Sequence, residues 1–358
     1  MTDKIIVITG GGTGGHVFPA ISLAEEFIRR GWSVQYVGSA KGFEARHVPS
    51  RKIPFFTIES GAVKNQGLVS LCKTSFKLVR GFFQSLFLLM RFRPQAVIGV
   101  GGYVSVPVCV ASVILGVPLF IQEQNVSVGI ANRFLGRFAK KIFLGFGQAL
   151  ENFPKGNCLV TGNPIRPEFL KVARPYDCST MELLILGGSQ GATAINNAVS
   201  ELLSRILHRF DPIHIVHQTG ERDLDSVKKK YDLLMKPHSF EVVPFINDIA
   251  PCFSRASLVI ARSGALTVSE ILQSKRPAIF IPYPRKGQND QTANAYFLEE
   301  LGVARTVEQG EQFVERFWTA LIEVFQPENL RTMQSRFSQL PLSNALVTIC
   351  DQIEAALV

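Results

Sequence analysis

The stretch Arg262-Ser-Gly-Ala-Leu-Thr-Val-Ser-Glu270 follows an apolar run, Ala256-Ser-Leu-Val-Ile-Ala261, that has the length and β-branched residues of a buried parallel strand. Small residues end the strand, and a helical pattern follows. Such a turn brings backbone N–H groups and the positive end of a helix dipole together, which suits an anion. Further along the helix, the Glu270 carboxylate can accept hydrogen bonds from a ribose diol. The stretch favours a nucleotide site, although an ordinary βα unit with a surface glutamate fits as well.

The same order of strand, glycine turn and helix recurs in both halves of the chain. Residues 4–9 are a buried-strand run that enters the glycine loop 10–15, and residues 181–186 enter a second loop, 187–191. Repeated βα units predict doubly wound parallel sheets. A chain of 358 residues is long enough for two such domains with a cleft between them. We therefore predict an α/β protein with two doubly wound, Rossmann-like domains.

Proline and glycine in Gly162-Asn-Pro-Ile-Arg166 predict the linker. The N-terminal domain is expected at 1–162 and the C-terminal domain at 163–341. Six cysteines are scattered without a C-x-x-C pair, so neither a zinc site nor a disulfide framework is indicated. Asp223-Leu-Asp225 resembles a metal-binding pair, but it lies in a charged segment typical of a solvated helix, and we expect no metal there.

The positive charge lies in the N-terminal half. The whole chain carries a net charge of +9, and residues 1–161 hold 18 basic and 7 acidic residues. This excess suits an anionic membrane surface or a nucleic acid. Residues 71–93 combine basic residues with an apolar arc wider than a core helix needs, so a core helix and a membrane-surface helix are both possible. The candidate membrane residues are Lys73, Phe76, Lys77, Arg80, Phe83, Phe87 and Arg91, with Phe82 beside them.

His16 follows the first glycine loop, at the predicted carboxyl edge of the sheet, where ligands bind in doubly wound folds. A dinucleotide site is the alternative for this loop. That site requires an acidic residue at the end of the second strand, and residues 39–41 are Ser-Ala-Lys. The sequence therefore disfavours NAD binding. His16 is a candidate catalytic base, although it could also be a helix-start residue.

Six motifs occur in order and together closely resemble the MurG family of bacterial N-acetylglucosaminyltransferases of peptidoglycan synthesis. They are Gly11-Gly-Thr-Gly-Gly-His-Val-Phe-Pro19, Gly99-Val-Gly-Gly-Tyr-Val-Ser105, Glu123-Gln-Asn125, Gly162-Asn-Pro-Ile-Arg166, Gly187-Gly-Ser-Gln-Gly191 and Arg262-Ser-Gly-Ala-Leu-Thr-Val-Ser-Glu270. The resemblance covers nearly the whole chain.

The resemblance implies a GT-B glycosyltransferase that uses neither a metal nor another cofactor. It implies inverting transfer of GlcNAc from UDP-GlcNAc to the C4 hydroxyl of MurNAc in undecaprenyl-pyrophosphoryl-MurNAc-pentapeptide (lipid I), giving lipid II and UDP. The expected place of action is the cytoplasmic face of the inner membrane, with peripheral attachment. The expected partners are an anionic membrane surface and proteins of cell-wall synthesis, cell shape and division, but no nucleic acid. The terminal helix, at about 342–358, is expected to pack on the N-terminal domain.

The resemblance also implies roles for individual residues. The donor contacts would be Thr13, Gly14, Gly15, Asn125, Arg166, Ser189, the Ile246 backbone, Ala265, Leu266, Thr267, Val268, Ser269, Glu270 and Gln291. The acceptor contacts would be Gly101, Gly102 and Tyr103, with the loop at 11–16. Gln288 competes with Gln291 for the sugar, and we choose Gln291 because Thr-Ala-Asn-Ala follows it. His16 could bind the acceptor pyrophosphate instead of acting as base, and Glu123 is a second titratable group expected near the cleft.

Other functions fit parts of this pattern. A UDP-GlcNAc 2-epimerase of the same fold would not need the basic and apolar stretch at 71–93. A glycosyltransferase that adds sugar to diacylglycerol would keep that stretch. A non-enzymatic nucleotide-binding membrane adaptor would keep Glu270 and tolerate loss of His16.

Overall fold

The computed structural model describes residues 4–61, 68–153, 156–172, 181–188, 191–234, 240–284, 290–340 and 344–357, with the backbone alone at 68–75 and 171. The chain forms two compact units. The N-terminal unit contains Met1–Arg166 and Ser343–Val358, and the C-terminal unit contains Pro167–Leu342. The two units are described separately below.

The N-terminal unit alternates strands and helices. Its strands are β1 (Ile5–Gly10), β2 (Ser33–Ser39), β3 (Phe55–Ile58), β4 (Ala96–Gly101), β5 (Leu119–Glu123), β6 (Lys141–Leu144) and β7 (Cys158–Val160). Its helices are α1 (Gly14–Arg29), α2 (Phe43–His47), α3 (Leu68–Phe92), α4 (Ser105–Ile114), α5 (Ile130–Leu135) and, from the end of the chain, α13 (Ala345–Leu357).

The C-terminal unit repeats this alternation. Its strands are β8 (Met181–Leu186), β9 (Ile213–Gln218), β10 (Phe240–Val243), β11 (Leu258–Ala261), β12 (Ala278–Phe280) and β13 (Ala304–Thr306). Its helices are α6 (Thr193–Phe210), α7 (Leu224–Asp232), α8 (Ala250–Arg255), α9 (Ala265–Ser274), α10 (Asp290–Glu300), α11 (Phe313–Val324) and α12 (Pro327–Phe337).

Both sheets are parallel within the described residues and reverse their strand order near the middle. The N-terminal sheet has the order β3-β2-β1-β4-β5-β6-β7, and the C-terminal sheet has the order β10-β9-β8-β11-β12-β13. The reversal falls between β1 and β4 in one sheet and between β8 and β11 in the other. In doubly wound folds, ligands bind at the carboxyl edge of the sheet, beside such a reversal of strand order. The prediction of two doubly wound domains is confirmed.

The strands are apolar because helices cover both faces of each sheet. In β1, Ile6 and Ile8 join a core with α1 and α13, whereas Val7 joins a core on the other face with α3 and α4. Successive side chains of a strand point to opposite faces, so continuous hydrophobicity is the pattern of a strand covered on both sides.

Helix α13 belongs to the N-terminal unit although it ends the chain. Ile349, Cys350 and Ile353 are completely buried in the core that includes α1. Beside them, the Arg30 guanidinium donates to Asp351 at 2.6 Å and to Glu354 at 2.7 Å. The helix is therefore held by apolar burial together with partly buried charge-assisted hydrogen bonds.

Candidate active site

The two glycine turns of the N-terminal unit are in direct contact. β1 and β4 are neighbours, and the Gly11 N–H donates to the Gly101 carbonyl at 3.2 Å. A Cβ at Gly102 would lie 2.2 Å from the Gly11 carbonyl oxygen, and Gly102 has a φ of +85°. Glycine is therefore required at Gly102 by both space and backbone conformation.

His16 lies against this pair of turns. It is in the first turn of α1, and its Nδ1 is 3.3 Å from the Thr13 hydroxyl oxygen. A Cβ at Gly101 would lie 2.8 Å from the His16 Cδ2, so the ring packs on the second turn. The candidate base thus packs against Gly101, the first of the three predicted acceptor residues, and Gly102 follows it in the chain. Tyr103, the third, is 41% exposed.

Glu123 holds the loop that contains Asn125. Its carboxylate is buried and accepts from the Asn125 backbone N–H at 3.0 Å, the Asn132 side chain at 3.0 Å and the Gly129 N–H at 3.3 Å. Because both carboxylate oxygens accept hydrogen bonds, this geometry favours an orienting role over that of a catalytic base. Asn125, a predicted donor contact, is thereby fixed at the carboxyl edge of the sheet.

A chain of buried amides joins the linker to the ends of β4 and β5. The Gln122 side chain donates to the Asn163 side chain at 2.9 Å, and Asn163 donates to the Gln124 carbonyl at 3.0 Å. The Gln124 side chain donates to the Val100 carbonyl at 2.8 Å. Asn163 lies in the segment that the sequence predicts as the linker. Its bonds hold the segment that leads to Arg166, a half-buried predicted donor contact.

The C-terminal unit carries its own turn and helix start beside the strand-order reversal. Helix α9 begins at Ala265, and Gly264 at its N-cap has no side chain to accept the leading N–H groups. The preceding Ser263 is completely buried, and its hydroxyl oxygen has no hydrogen-bond partner in the described part of the chain. Asn294 of α10 donates to the Ser263 carbonyl at 3.2 Å and holds the turn. The leading N–H groups of α9 and the Ser263 hydroxyl are donors of the kind that suit an anion.

The predicted donor residues of α9 differ in accessibility. Leu266 and Thr267 are partly exposed, whereas Val268 and Ser269 are buried. The Ser269 hydroxyl donates to the Ala265 carbonyl at 2.9 Å, so it is used within the helix. Glu270 is 8% exposed, which makes its carboxylate a restricted acceptor rather than a surface charge.

Gln218 links two parts of the predicted donor site and was not identified from the sequence. At the end of β9, its side chain donates to the Gly188 carbonyl at 2.9 Å and accepts from the Ile246 N–H at 3.1 Å. One buried amide therefore bridges the glycine loop after β8 and the residue expected to contact uracil. Because the Ile246 N–H is bonded to Gln218, the Ile246 carbonyl oxygen is the backbone group that would contact uracil. A carbonyl oxygen suits the N3–H donor of that base.

Gln291 is hydrogen-bonded to the segment after β12, residues 281–283, which Arg262 also binds. Its side-chain oxygen accepts from the Tyr283 N–H at 2.9 Å. Arg262 donates to the Ile281 carbonyl at 2.8 Å and the Pro282 carbonyl at 3.0 Å. Burial lowers the pKa of the Arg262 guanidinium to about 10. Gln291 and Arg262 thus bind consecutive residues of the segment after β12. Gln288 and Ser189 are outside the described residues.

Known proteins with similar sequence and fold identify the family. Residues 6–144 match the N-terminal domain of glycosyltransferase family 28, and residues 182–349 match its C-terminal domain. The UDP-N-acetylglucosamine–N-acetylmuramyl-(pentapeptide) pyrophosphoryl-undecaprenol N-acetylglucosamine transferase of Myxococcus xanthus is 37% identical over 97% of this chain and 91% of that protein. The crystal structure of Acinetobacter baumannii MurG has a TM-score of 0.81 at 30% identity and covers 98% of this chain and 99% of that one. This chain belongs to the MurG family.

Membership of the MurG family confirms the GT-B class. The UDP-GlcNAc 2-epimerase of Neisseria meningitidis, bound to UDP-GlcNAc, has a TM-score of 0.63 at 14% identity and covers 98% of this chain and 99% of that one. Identity this low shows a common fold alone. The epimerase alternative is therefore not favoured over the MurG family.

Asp223, one of the two acidic residues that resemble a metal-binding pair, has a structural role in this MurG family member. Asp223 accepts from the Asn196 side chain at 2.9 Å and from Arg222 at 3.2 Å, and the Arg222 side chain also bonds Thr193 at the start of α6. Burial acts to raise the pKa of Asp223, but hydrogen bonds from Thr193, Asn196 and Arg222 outweigh it and lower the pKa. In the described residues, no group of three or more His, Cys, Asp or Glu side chains is arranged to hold a metal ion.

Helix α3 packs against its domain on one side and exposes an apolar stripe on the other. Leu89 is buried in the core, and Phe82 also packs against it, contrary to its expected place at a membrane surface. By contrast, Phe76, Phe83 and Phe87 are 61–64% exposed. Lys77, Arg80 and Arg91 are exposed around the stripe, and the side chain of Lys73 is outside the described residues. None of the described helices has the length and hydropathy needed to cross a membrane.

Two further helices of the MurG family member expose apolar residues that the sequence interpretation missed. α3 packs against α4, and α4 packs against α5. The exposed residues are Ile114 at the end of α4, Leu115 after it, Ile130 and Phe134 on α5, and Phe138 after it. To predict from the sequence that three consecutive helices expose large apolar side chains, one would need to know which face of each helix is buried.

Proposed function

We infer that this chain transfers GlcNAc from UDP-GlcNAc to the C4 hydroxyl of MurNAc in lipid I, forming lipid II and UDP. One observation carries the inference: the Myxococcus xanthus transferase is related to this chain over nearly its whole length, and its name states the donated sugar and the acceptor. The geometry is compatible with that reaction, because each unit has paired turns where its sheet reverses strand order.

The C-terminal unit would hold the leaving UDP. The leading N–H groups of α9, after Gly264, would stabilise the charge that develops on the pyrophosphate as the bond from C1 of GlcNAc breaks. Glu270 would accept the ribose hydroxyls, and Gln291 would contact the sugar. Gln218 supports this arrangement because it fixes the Gly188 and Ile246 backbones with a single buried side chain.

The N-terminal unit would activate the acceptor. A neutral His16 imidazole would take the proton of the C4 hydroxyl as its oxygen attacks C1, which inverts the configuration and gives the β-linked disaccharide. The contacts of His16 with Thr13 and Gly101 support this role, because they fix the ring beside the proposed acceptor turn. Thr13, Gly14, Gly15 and Asn125 would contact the donor from this unit.

The exposed stripe of α3 would attach the enzyme to an anionic membrane. Lipid I carries a polyprenyl tail that stays in the bilayer, so the enzyme must reach its acceptor at the membrane surface. Exposed Phe76, Phe83 and Phe87 could enter the interface, and Lys77 and Arg91 beside them would attract anionic lipid. We place this attachment at the cytoplasmic face of the inner membrane, and contacts with proteins of cell-wall synthesis and division are part of the proposal.

Turnover of UDP-GlcNAc with three acceptor conditions tests the function. We expect release of UDP and formation of lipid II with lipid I, and no comparable turnover with diacylglycerol or without acceptor. Turnover with diacylglycerol alone would favour the lipid-headgroup glycosyltransferase. Conversion of UDP-GlcNAc to its 2-epimer without an acceptor would favour the epimerase alternative. Binding of UDP with no turnover under any condition would favour the non-enzymatic membrane adaptor.

A further inference from the structure

Glu44 is a completely buried carboxylate beneath the first glycine loop. Its side chain has 0% exposure, and one oxygen accepts from the Gly12 N–H at 3.0 Å. The other oxygen accepts from the Ser39 N–H at 3.0 Å and from the Ser39 hydroxyl at 2.6 Å. The carboxylate therefore joins the loop after β1 to the end of β2.

Three glycines make room for this carboxylate. A Cβ at Gly11 would lie 2.5 Å from Glu44 side-chain atoms, one at Gly38 would lie 2.7 Å away, and one at Gly42 would lie 2.2 Å away. These glycines come from the loop after β1, from β2, and from the residue before α2. The backbone of three segments is thus shaped around one acidic side chain, and a side chain at any of the three positions would displace it.

The Glu44 carboxylate is a negative charge of the protein itself that is bound by an N–H group of the first glycine loop. In a dinucleotide-binding unit, the N–H groups of this loop hold pyrophosphate and an acidic residue near β2 binds ribose. Here the acidic residue binds the loop itself and is inaccessible to a ribose. Burial of a carboxylate is costly unless donors compensate it, and three donors do so while fixing the loop in one conformation.

We propose that Glu44 is a positioning residue for the acceptor reaction, an inference that rests on the proposed function. Glu44 fixes Gly12, and the adjacent Gly11 N–H bonds the Gly101 carbonyl. The His16 ring in turn packs on Gly101. Glu44 thereby keeps the proposed base and the acceptor turn in register without touching either substrate.

The variant Glu44→Gln keeps the shape of the side chain and removes one acceptor oxygen. Whichever way the amide is oriented, its NH2 faces the N–H of Gly12 or of Ser39, and one backbone donor loses its bond. We expect kcat/KM for lipid I to fall about tenfold or more. The Kd for UDP, measured by calorimetry, should change less than kcat/KM, because most UDP contacts are proposed in the C-terminal unit and only those of Thr13, Gly14 and Gly15 lie on the loop that Glu44 fixes.

Glu26→Gln is the matched control. Glu26 is also a buried acid of the N-terminal unit, 8% exposed, but it bonds Arg29 and Arg30 at the far end of α1. The Glu26→Gln variant should have a lower melting temperature than the wild type and an unchanged kcat/KM for lipid I. Amide hydrogen exchange at residues 11–16 should accelerate in Glu44→Gln alone. Ser39→Ala, which deletes one bond to Glu44, should show a smaller loss in the same direction if Glu44→Gln does not fold.

The outcomes separate the inference from the proposed function. If the wild-type chain does not turn over lipid I, the proposed function fails, and loop exchange still tests the role of Glu44. Unchanged exchange at 11–16 overturns the inference in either case. It is also overturned if both glutamate variants lose kcat/KM equally, since that pattern indicates a general effect on folding.

Discussion

Glu270 combines a charged acceptor with restricted exposure, and this determines what its loss should do. We predict that Glu270→Ala raises the KM for UDP-GlcNAc by about 30- to 1,000-fold, since a pair of charge-assisted bonds to ribose hydroxyls contributes about 2–4 kcal/mol. Steady-state kinetics with UDP-GlcNAc and its 2′-deoxy analogue measures this. The wild type should prefer the ribose form, and the variant should lose that preference. A preference that survives in Glu270→Ala would assign ribose recognition to another residue.

His16 should act on the chemical step rather than on donor binding. It lies in the N-terminal unit, beside Thr13 and the Gly101 turn. We predict that His16→Ala lowers kcat by about 100- to 10,000-fold, the usual contribution of a general base. Calorimetry should give a nearly unchanged Kd for UDP. Normal turnover would remove His16 from the mechanism, and a large loss of UDP affinity would assign it to the donor site.

Residues within sequence motifs could be proposed as ligand-binding residues from the sequence, whereas the residues that support them could not. His16 and Glu270 stand beside glycine turns, and that local context indicates ligand binding. Glu44 and Gln218 act on residues at least 28 positions away in the chain, at Gly12, Gly188 and Ile246. Their roles depend on which strands become neighbours, and no local pattern of residue types encodes that pairing.

At the scale of elements, α3 exposes an apolar stripe with basic residues around it, and we propose that this stripe binds an anionic membrane. We predict that Lys77→Glu with Arg91→Glu weakens binding to anionic vesicles by about 30-fold or more, because each basic residue near the surface contributes about 1 kcal/mol. Arg80 is left unchanged because it forms an ion pair with Glu59 at 3.0 Å. Vesicle sedimentation at several salt concentrations measures the effect, and added salt should weaken wild-type binding in part.

The matched control for α3 reverses two exposed lysines of α7, Lys228 and Lys229, which changes the net charge equally. This control should bind vesicles like the wild type. The α3 variant should lose turnover of lipid I but retain turnover of a short-chain, water-soluble acceptor. Equal loss with both acceptors, or unchanged vesicle binding, would mean that α3 serves only the core.

Element patterns predict more about α3 than about its neighbours. Its apolar residues recur at three- and four-residue steps over many turns, so the sequence indicates an amphipathic helix of unusual width. Phe82 and Phe83 are adjacent, and the sequence alone could not tell that Phe82 faces the core while Phe83 is exposed. In α5, the helix is too short for periodicity to reveal that Ile130 and Phe134 remain outside.

At the scale of the whole molecule, the chain end returns to the unit in which the chain begins. Helix α13 follows the C-terminal unit in the sequence, yet it contributes completely buried apolar residues to the core of the N-terminal unit. Stability of the N-terminal unit should therefore depend on residues that are last in sequence. The two units should respond differently to changes in α13, because UDP contacts are proposed mainly in the C-terminal unit.

We predict that Ile353→Asp selectively destabilises the N-terminal unit. A carboxylate in place of a completely buried isoleucine should cost about 4 kcal/mol and lower the melting temperature of that unit by about 10 °C. Calorimetric scans with and without UDP separate the units, since the transition that UDP raises belongs to the C-terminal unit. Asp351→Asn is the control: its side chain is 58% exposed, so losing its ion pair with Arg30 should shift the transition far less. If Ile353→Asp lowers the UDP-shifted transition equally, α13 stabilises the whole chain rather than the unit it packs in.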